Sequence, residues 1–251
     1  MRLHNQDEQA LSEHMLATYK TLRRSLIVLG LTFPFLLWGV GKGLYGIPLQ
    51  SSMSRYYFAP YPESPDEKIF PMRIWFAGGL FAIGAALYLY KGFTNWENVA
   101  LNLAGTCAAL VALVPMAIEP CAGSNCSFSW HGLFAVLLFL CLAFVALFCA
   151  QATLQYLPPE HKHLLPGFRL RYKVVGVLMV LSPLGAFVLT RNTEGQSYFI
   201  FWAEAFCVLT FAWYWFEKTR EMELSKAEKK AVEEKLKPPT NKGGVIPKLA
   251  V

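Results

Sequence analysis

The stretch YFIFWAEAFCVLTFAWYWF, residues 198–216, decides the fold class, because it is long and apolar enough to cross a membrane as a helix. About 20 residues of helix cover the roughly 30 Å hydrocarbon core of a bilayer. One acidic residue, Glu204, interrupts the run. A carboxylate is costly in hydrocarbon unless it is neutral or paired, so Glu204 is a candidate functional residue.

Five further uncharged runs have a similar length, at 25–41, 74–90, 98–118, 132–157 and 174–190. Charged residues make up 16% of the chain, whereas soluble domains contain about 25%. Backbone groups in lipid must bond within their own segment, which favours helices. The sequence therefore predicts an all-α polytopic membrane protein with a six-transmembrane-helix bundle.

Segments on either side of the bundle complete the predicted organisation. Residues 1–22 contain acidic side chains and no apolar core, so we expect an interfacial helix rather than a cleaved signal peptide. The membrane domain is predicted over 23–217. Residues 218–251 are predicted to form a charged helical extension that stops at Pro238 and Pro239, followed by an irregular tail.

Basic residues predict the orientation of the chain. If the N-terminus is cytoplasmic, 18 of the 23 Lys and Arg residues lie on the cytoplasmic side. We therefore expect both termini in the cytoplasm of a multi-pass protein of the cell membrane, with the bacterial inner membrane as its location. Because the net charge of +6 lies beside helix ends, it does not indicate a nucleic-acid partner.

The cysteines and histidines predict one covalent link and no cofactor. Cys121 and Cys126 share a predicted outer loop, where a disulfide or two free thiols are the alternatives. His161 and His163 lie in a loop on the opposite side, so the membrane offers no pair of histidines for haem. The sequence predicts no metal site and no cofactor.

Polar residues from several segments converge on the predicted outer half of the bundle. At roughly 1.5 Å per residue, Glu204 lies about 9 Å below the outer end of its span. The same region is expected to hold Arg73, Glu119, His131, Ser52, Ser54 and Tyr56.

Three interpretations of this cluster remain open. The first is an Arg73–Glu204 ion pair that only fixes helix packing. The second is a binding pocket for a lipid headgroup or small ligand. The third is catalysis, with Ser52 or Ser54 as nucleophile, His131 as base and Glu204 as orienting group. No G-x-S-x-G motif supports the third.

Several stretches resemble a family of six-helix bacterial membrane proteins of unassigned activity: SSMSRYY (51–57), MRIWFAGGLFAIGAALYLYKGF (72–93), ENVALNLAGTCAALVALVP (97–115), WHGLFAVLLF (130–139) and FWAEAFCVLTFAWYWFEK (201–218). The residues that carry the resemblance are Ser52, Ser54, Tyr56, Tyr57, Arg73, Gly78, Asn102, Gly105, His131, Trp202 and Glu204. That family usually has Asp after its Met-Arg pair, where this chain has Ile74. The segment before Met72 is also longer here.

The layout is similar, more distantly, to the DRAM, Frag and Sfk group, whose members are linked to lipid homeostasis, autophagy and lipid-anchor remodelling. By fold-level analogy the resemblance implies a role involving membrane lipids.

We expect an integral membrane protein, not an enzyme, with an outward-facing pocket that binds a lipid headgroup or small ligand. Arg73, His131 and Glu204 would line this pocket, with Ser52, Ser54 and Tyr56 near its mouth. One alternative is an accessory subunit that binds partner membrane subunits in a larger complex. The other is a membrane lipid hydrolase, which requires a serine within hydrogen-bond reach of His131.

Overall fold

A computed structural model describes residues 2–62, 69–116, 129–192 and 198–232. All regular structure in these ranges is helical. The predicted Cys121–Cys126 pair, Glu119, and the tail with Pro238 and Pro239 lie outside the described residues.

Seven α-helices follow one another along the described chain: α1 Arg2–Tyr45, α2 Met72–Leu89, α3 Asn95–Leu113, α4 Trp130–Phe144, α5 Leu165–Asn192, α6 Phe199–Ser225 and α7 Ala227–Val232. A short 3-10 helix, Ser54–Phe58, lies in the α1–α2 loop. After α4 the chain continues as a π-helical turn, Val145–Cys149, and a 3-10 stretch, Ala150–Tyr156. A last 3-10 helix, Pro159–Leu164, precedes α5.

Five helical segments of the described chain are long and apolar enough to cross a membrane: Ala10–Tyr45, Met72–Leu89, Asn95–Leu113, Trp130–Tyr156 and Phe199–Ser225. The predicted all-α fold class is confirmed for the described residues, and these five segments have the length and composition of membrane spans. The predicted fifth span falls on α5, a 28-residue helix whose side chains are not described from 186 onward. Six spans therefore stay a prediction.

Helices that follow one another along the chain pack side by side, and together they form a closed ring. Each of α1 to α5 contacts the next helix, and α6 packs against both α5 and α1. Buried apolar side chains from every long helix meet inside this ring, among them Leu37, Phe76, Leu101, Leu142, Val175 and Trp215.

Helices α1 and α6 continue without a break through the predicted boundaries at residues 22 and 217. α1 is continuous over 44 residues, about 66 Å, so it extends well beyond a bilayer core. α6 continues to Ser225, where Lys226 adopts a left-handed conformation with φ of 49°. Arg23 of α1 is 2% exposed and pairs with Glu228 of α7. The first helix is thereby fixed to the last one.

Two glycines allow α2 and α3 to touch through their backbones. A Cβ atom on Gly84 would lie 2.7 Å from the Gly105 carbonyl oxygen, and one on Gly105 would lie 2.5 Å from that of Gly84. Gly78, Ala82 and Ala86 also follow one another at four-residue intervals in α2, but the first two are exposed, so small-residue spacing alone does not identify the contact face.

We predict that Gly84→Ala and Gly105→Ala each destabilise the protein by about 1–3 kcal/mol, because the new methyl group meets a rigid carbonyl. Gly78→Ala is the matched control, since nothing lies within 4 Å of its added Cβ. Thermal unfolding in detergent measures the difference. Equal unfolding midpoints for Gly84→Ala and Gly78→Ala would contradict the close approach.

Candidate functional site

The α1–α2 loop folds down over one end of the ring. Its 3-10 helix buries Tyr56 completely, and a Cβ on Gly41 would come within 2.9 Å of the Tyr56 ring. The Ser51 carbonyl oxygen accepts the Phe201 N–H at 3.0 Å, which satisfies one of the free donors at the start of α6. The loop therefore belongs to the packed bundle.

Glu204 holds this loop from below. Its Oε2 atom accepts the Met53 N–H at 2.5 Å. A carboxyl oxygen can accept this bond whether the group is ionised or neutral. Glu204 therefore has a structural role in the apolar helix α6, because it connects this helix to a loop 151 residues earlier in the chain.

Ser54, His131 and Val114 form a chain of two hydrogen bonds, which we call the Ser54 cluster. Ser54 Oγ lies 2.9 Å from His131 Nε2, and His131 Nδ1 lies 2.7 Å from the Val114 carbonyl oxygen. His131 is placed by the start of α4, where the Ser129 side chain caps the helix by accepting the Gly132 N–H. The cluster thus joins the loop, the end of α3 and the start of α4.

Arg73 lies apart from this chain of bonds. Its Nε atom donates to the Tyr57 carbonyl oxygen at 3.3 Å, and its guanidinium carbon lies 4.4 Å from the Tyr57 ring centre and 4.8 Å from that of Phe70. These are cation–π distances. Among the described ion pairs there is none between Arg73 and Glu204.

Ser52 has a local role in the loop. Its buried hydroxyl accepts the Arg55 N–H at 3.2 Å, which stabilises the turn that leads into the 3-10 helix. Of the two serines considered as nucleophiles, Ser54 is therefore the one that reaches His131. Tyr56 contributes its ring, which packs edge-on against Phe201.

A cavity of about 100 Å³ lies inside the ring, directly below the loop. Ser54 and Glu204 line it together with apolar side chains: Phe33, Met53, Phe76, Leu80, Ile83, Val111, Ala135, Leu138, Phe139, Leu142, Val208 and Phe211. The cavity is apolar along its walls, with a hydroxyl and a carboxyl group as polar side chains. It can hold hydrocarbon and hydrogen-bond one polar group.

A second buried polar group, the Lys218 cluster, forms around the C-terminal part of α6. Lys218 and Glu221 are both 0% exposed. Lys218 Nζ donates to Thr153 Oγ1 at 2.7 Å and to Glu221 Oε2 at 3.2 Å. Tyr172 of α5 donates to the same Glu221 oxygen at 2.5 Å.

The irregular end of α4 contributes to this cluster. Lys218 Nζ also donates to the Ala150 carbonyl oxygen at 3.4 Å, at the point where the π-helical turn passes into the 3-10 stretch. Such interruptions place carbonyl groups where a regular helix would not. The irregular segment and the buried lysine therefore stabilise each other.

Glu97 reaches the same side of the bundle from α3. It is 1% exposed, and Thr94 caps the helix by accepting the Glu97 N–H at 3.1 Å. Glu97 Oε2 accepts the Phe93 N–H at 2.9 Å. Glu97 Oε1 and Glu221 Oε1 are buried and have no hydrogen-bond partner within the part of the chain that the structure describes. Among the described residues, no group of three His, Cys, Asp or Glu side chains could hold a metal ion.

Sequence reasoning missed the Lys218 cluster because its charges were assigned to loops and to the extension. The Thr94-Asn95-Trp96-Glu97 pattern is a capping signature that could have placed Glu97 on the helix. The i,i+3 spacing of Lys218 and Glu221 could have indicated a pair. Their burial depends on the neighbouring helices and had no local signal.

No protein-family model, curated protein or solved structure matches this chain. The resemblance to six-helix bacterial membrane proteins and to the DRAM, Frag and Sfk group therefore stays a prediction. The candidate site is supported by the positions and contacts of its own residues.

We predict that replacing Glu204 loosens the loop above it. Glu204→Leu removes the acceptor for Met53 N–H, and a buried donor left without a partner costs about 1–3 kcal/mol. Amide protection at Met53 should fall by about 10- to 100-fold in hydrogen exchange. Glu204→Gln, which keeps a carbonyl oxygen, should lose less. Unchanged protection in Glu204→Leu would contradict this role.

We also predict that Lys218→Met destabilises the protein by about 3–5 kcal/mol, because it leaves the Glu221 carboxylate buried and uncompensated. Lys20→Met is the control. Its ion pair with Glu223 is 41% and 45% exposed, so the loss should be under about 1 kcal/mol. Adding Glu221→Gln to Lys218→Met should recover part of the stability. Denaturant unfolding in detergent measures all three, and equal losses for the two lysine variants would contradict the buried pair.

Proposed function

We propose that this protein is an integral membrane protein that binds a lipid hydrocarbon chain by the end next to its polar group, in the cavity below the α1–α2 loop. The observation that carries the proposal is the cavity itself, whose walls are apolar and which includes Ser54 and Glu204. A lipid has the matching combination of a hydrocarbon chain and a polar group near one end.

The membrane arrangement is part of the proposal. Six spans, with α5 as the fifth, and cytoplasmic termini place the α1–α2 loop and the Ser54 cluster on the outer side of a bacterial inner membrane. The five candidate spans and the uneven distribution of Lys and Arg support this arrangement. Lipid of the outer leaflet would then reach the cavity from the bilayer.

The size of the cavity limits what it can hold. Pockets for complete drug-sized ligands measure about 300–1,000 Å³, whereas this one measures about 100 Å³. An apolar cavity of about 150 Å³ in another protein holds a benzene molecule. We therefore propose that a few methylene groups enter the cavity while the rest of the lipid remains in the bilayer.

The polar residues at the cavity favour one orientation of the proposed lipid. Glu204 accepts hydrogen bonds, and Ser54 Oγ can accept one, so a hydroxyl or amine group near the loop would find a partner. Arg73 lies on the first turn of α2 and has no acidic partner among the described ion pairs. We propose that its guanidinium group attracts a lipid phosphate at the headgroup level.

Filling the cavity tests the proposal. Ala135→Phe and Val208→Phe place a ring in the space that the chain would occupy, so purified protein should carry much less bound lipid in native mass spectrometry. Leu140→Phe is the matched control on α4, because Leu140 is 41% exposed on the outside of the bundle. The same amount of bound lipid in all three variants and the wild type would reject the cavity as the binding site.

The accessory-subunit hypothesis stays a prediction. The same purification from native membranes tests it, because a stable partner chain would be detected beside the protein at a fixed ratio.

A further inference from the structure

We propose that the Ser54 cluster is the catalytic centre of a serine hydrolase that cleaves an acyl ester of the lipid bound in this cavity. This inference rests on the proposed function and adds a reaction to it. The observation that carries it is the pair of bonds on His131, one from each ring nitrogen.

The two bonds determine where the imidazole proton lies. The Val114 carbonyl oxygen can only accept, so His131 Nδ1 carries the proton in their 2.7 Å bond. The neutral ring then has its lone pair at Nε2, 2.9 Å from Ser54 Oγ. Ser54 must donate its hydroxyl proton in that bond. This is the protonation state in which a histidine acts as the base for a serine nucleophile.

The surroundings of the pair favour the same role. His131 is 8% exposed, which protects the base from bulk water. Ser54 lines the cavity, so the nucleophile borders the space where we place the lipid chain. A lipid ester group lies at the polar end of its hydrocarbon chain. A chain seated between Leu138 and Val208 would therefore bring its ester towards the loop that carries Ser54.

Glu204 acts in this scheme as a positioning residue. It binds the N–H of Met53, the residue directly before Ser54, and so fixes the nucleophile's backbone against α6. The orienting partner of His131 is a backbone carbonyl in place of the usual carboxylate. A carbonyl stabilises the imidazolium less than a carboxylate does, so we expect slow turnover.

The reaction balances with water as the second substrate. Ser54 Oγ bonds to the ester carbonyl carbon while its proton passes to His131 Nε2. The tetrahedral adduct collapses, the carbon–oxygen bond to the lipid alcohol breaks, and His131 returns the proton to the leaving oxygen. Water then attacks the Ser54 acyl ester, giving its proton to Nε2. The fatty acid leaves, and Ser54 regains its proton from His131.

A fluorophosphonate probe tests the nucleophile directly. Full-length protein in detergent or in vesicles should gain one probe mass, and peptide mapping should place it on Ser54. Ser54→Ala should abolish the adduct. Ser52→Ala is the control, because Ser52 binds the Arg55 N–H and does not contact His131 in the described hydrogen bonds. His131→Gln should slow labelling by about 100-fold or more, the range in which general bases contribute.

Lipid turnover gives the second measurement. Wild-type protein in vesicles of phosphatidylethanolamine and phosphatidylglycerol should release fatty acid, detected by mass spectrometry, and Ser54→Ala should not. A folded wild-type protein that is neither labelled on Ser54 nor releases fatty acid would overturn the inference. So would labelling that Ser52→Ala removes as fully as Ser54→Ala.

The two proposals fail in different ways. Lipid that is displaced by Ala135→Phe but never cleaved, with Ser54 unlabelled, leaves the binding proposal intact and rejects the hydrolase. Labelled Ser54 together with lipid binding that Ala135→Phe leaves unchanged rejects the cavity as the lipid site and retains the nucleophile.

Discussion

The hydrogen bond between Met53 N–H and Glu204 is the interaction on which the candidate site depends. It holds the α1–α2 loop against α6 at 2.5 Å. Because the loop is fixed there, Ser54 one residue later meets His131 at the start of α4. Met53 and Ser54 of the loop also form part of the cavity wall. A neutral apolar residue at position 204 would fill the span better, but it would leave the Met53 N–H without its partner.

Buried polar groups lie at both ends of the bundle, and the two groups differ in their chemistry. The Ser54 cluster contains a hydroxyl, an imidazole and a backbone carbonyl group, and it borders an apolar cavity that Glu204 also lines. The Lys218 cluster contains a buried ion pair that joins α6 to α5 and to the irregular end of α4. The Ser54 cluster has space for a ligand beside it, whereas the side chains of the Lys218 cluster mainly hydrogen-bond to one another. This contrast is why we place the function at the Ser54 cluster.

Much of the helical organisation could be predicted from sequence, and the grouping of the site only partly. His131, Glu204 and Ser54 were expected in one region because His131 and Glu204 lie near the same end of their spans and Ser54 lies in the loop at that end. The Arg73–Glu204 ion pair, one of three open interpretations, is not among the described contacts, since Arg73 packs on Tyr57 and Phe70 instead. The partner of His131 was also unexpected, because Val114 contributes a backbone oxygen that no side-chain pattern indicates. At the α2–α3 contact the close approach occurs at Gly84, while Gly78 lies in open space. The spacing of small residues defines a helix face, but it does not show which face is buried.

The sequence by itself determined that this is a helical chain with several segments able to cross a membrane. That follows from the length of the uncharged runs and from the need of every backbone group in lipid to bond within its own helix. Only the tertiary structure decided which polar residues meet. Ser54 and His131 are 77 residues apart, and Met53 and Glu204 are 151 apart. Contacts at such separations depend on how the helices close into a ring and on how far the loop folds inward. Both are set by packing between segments, which no single segment encodes.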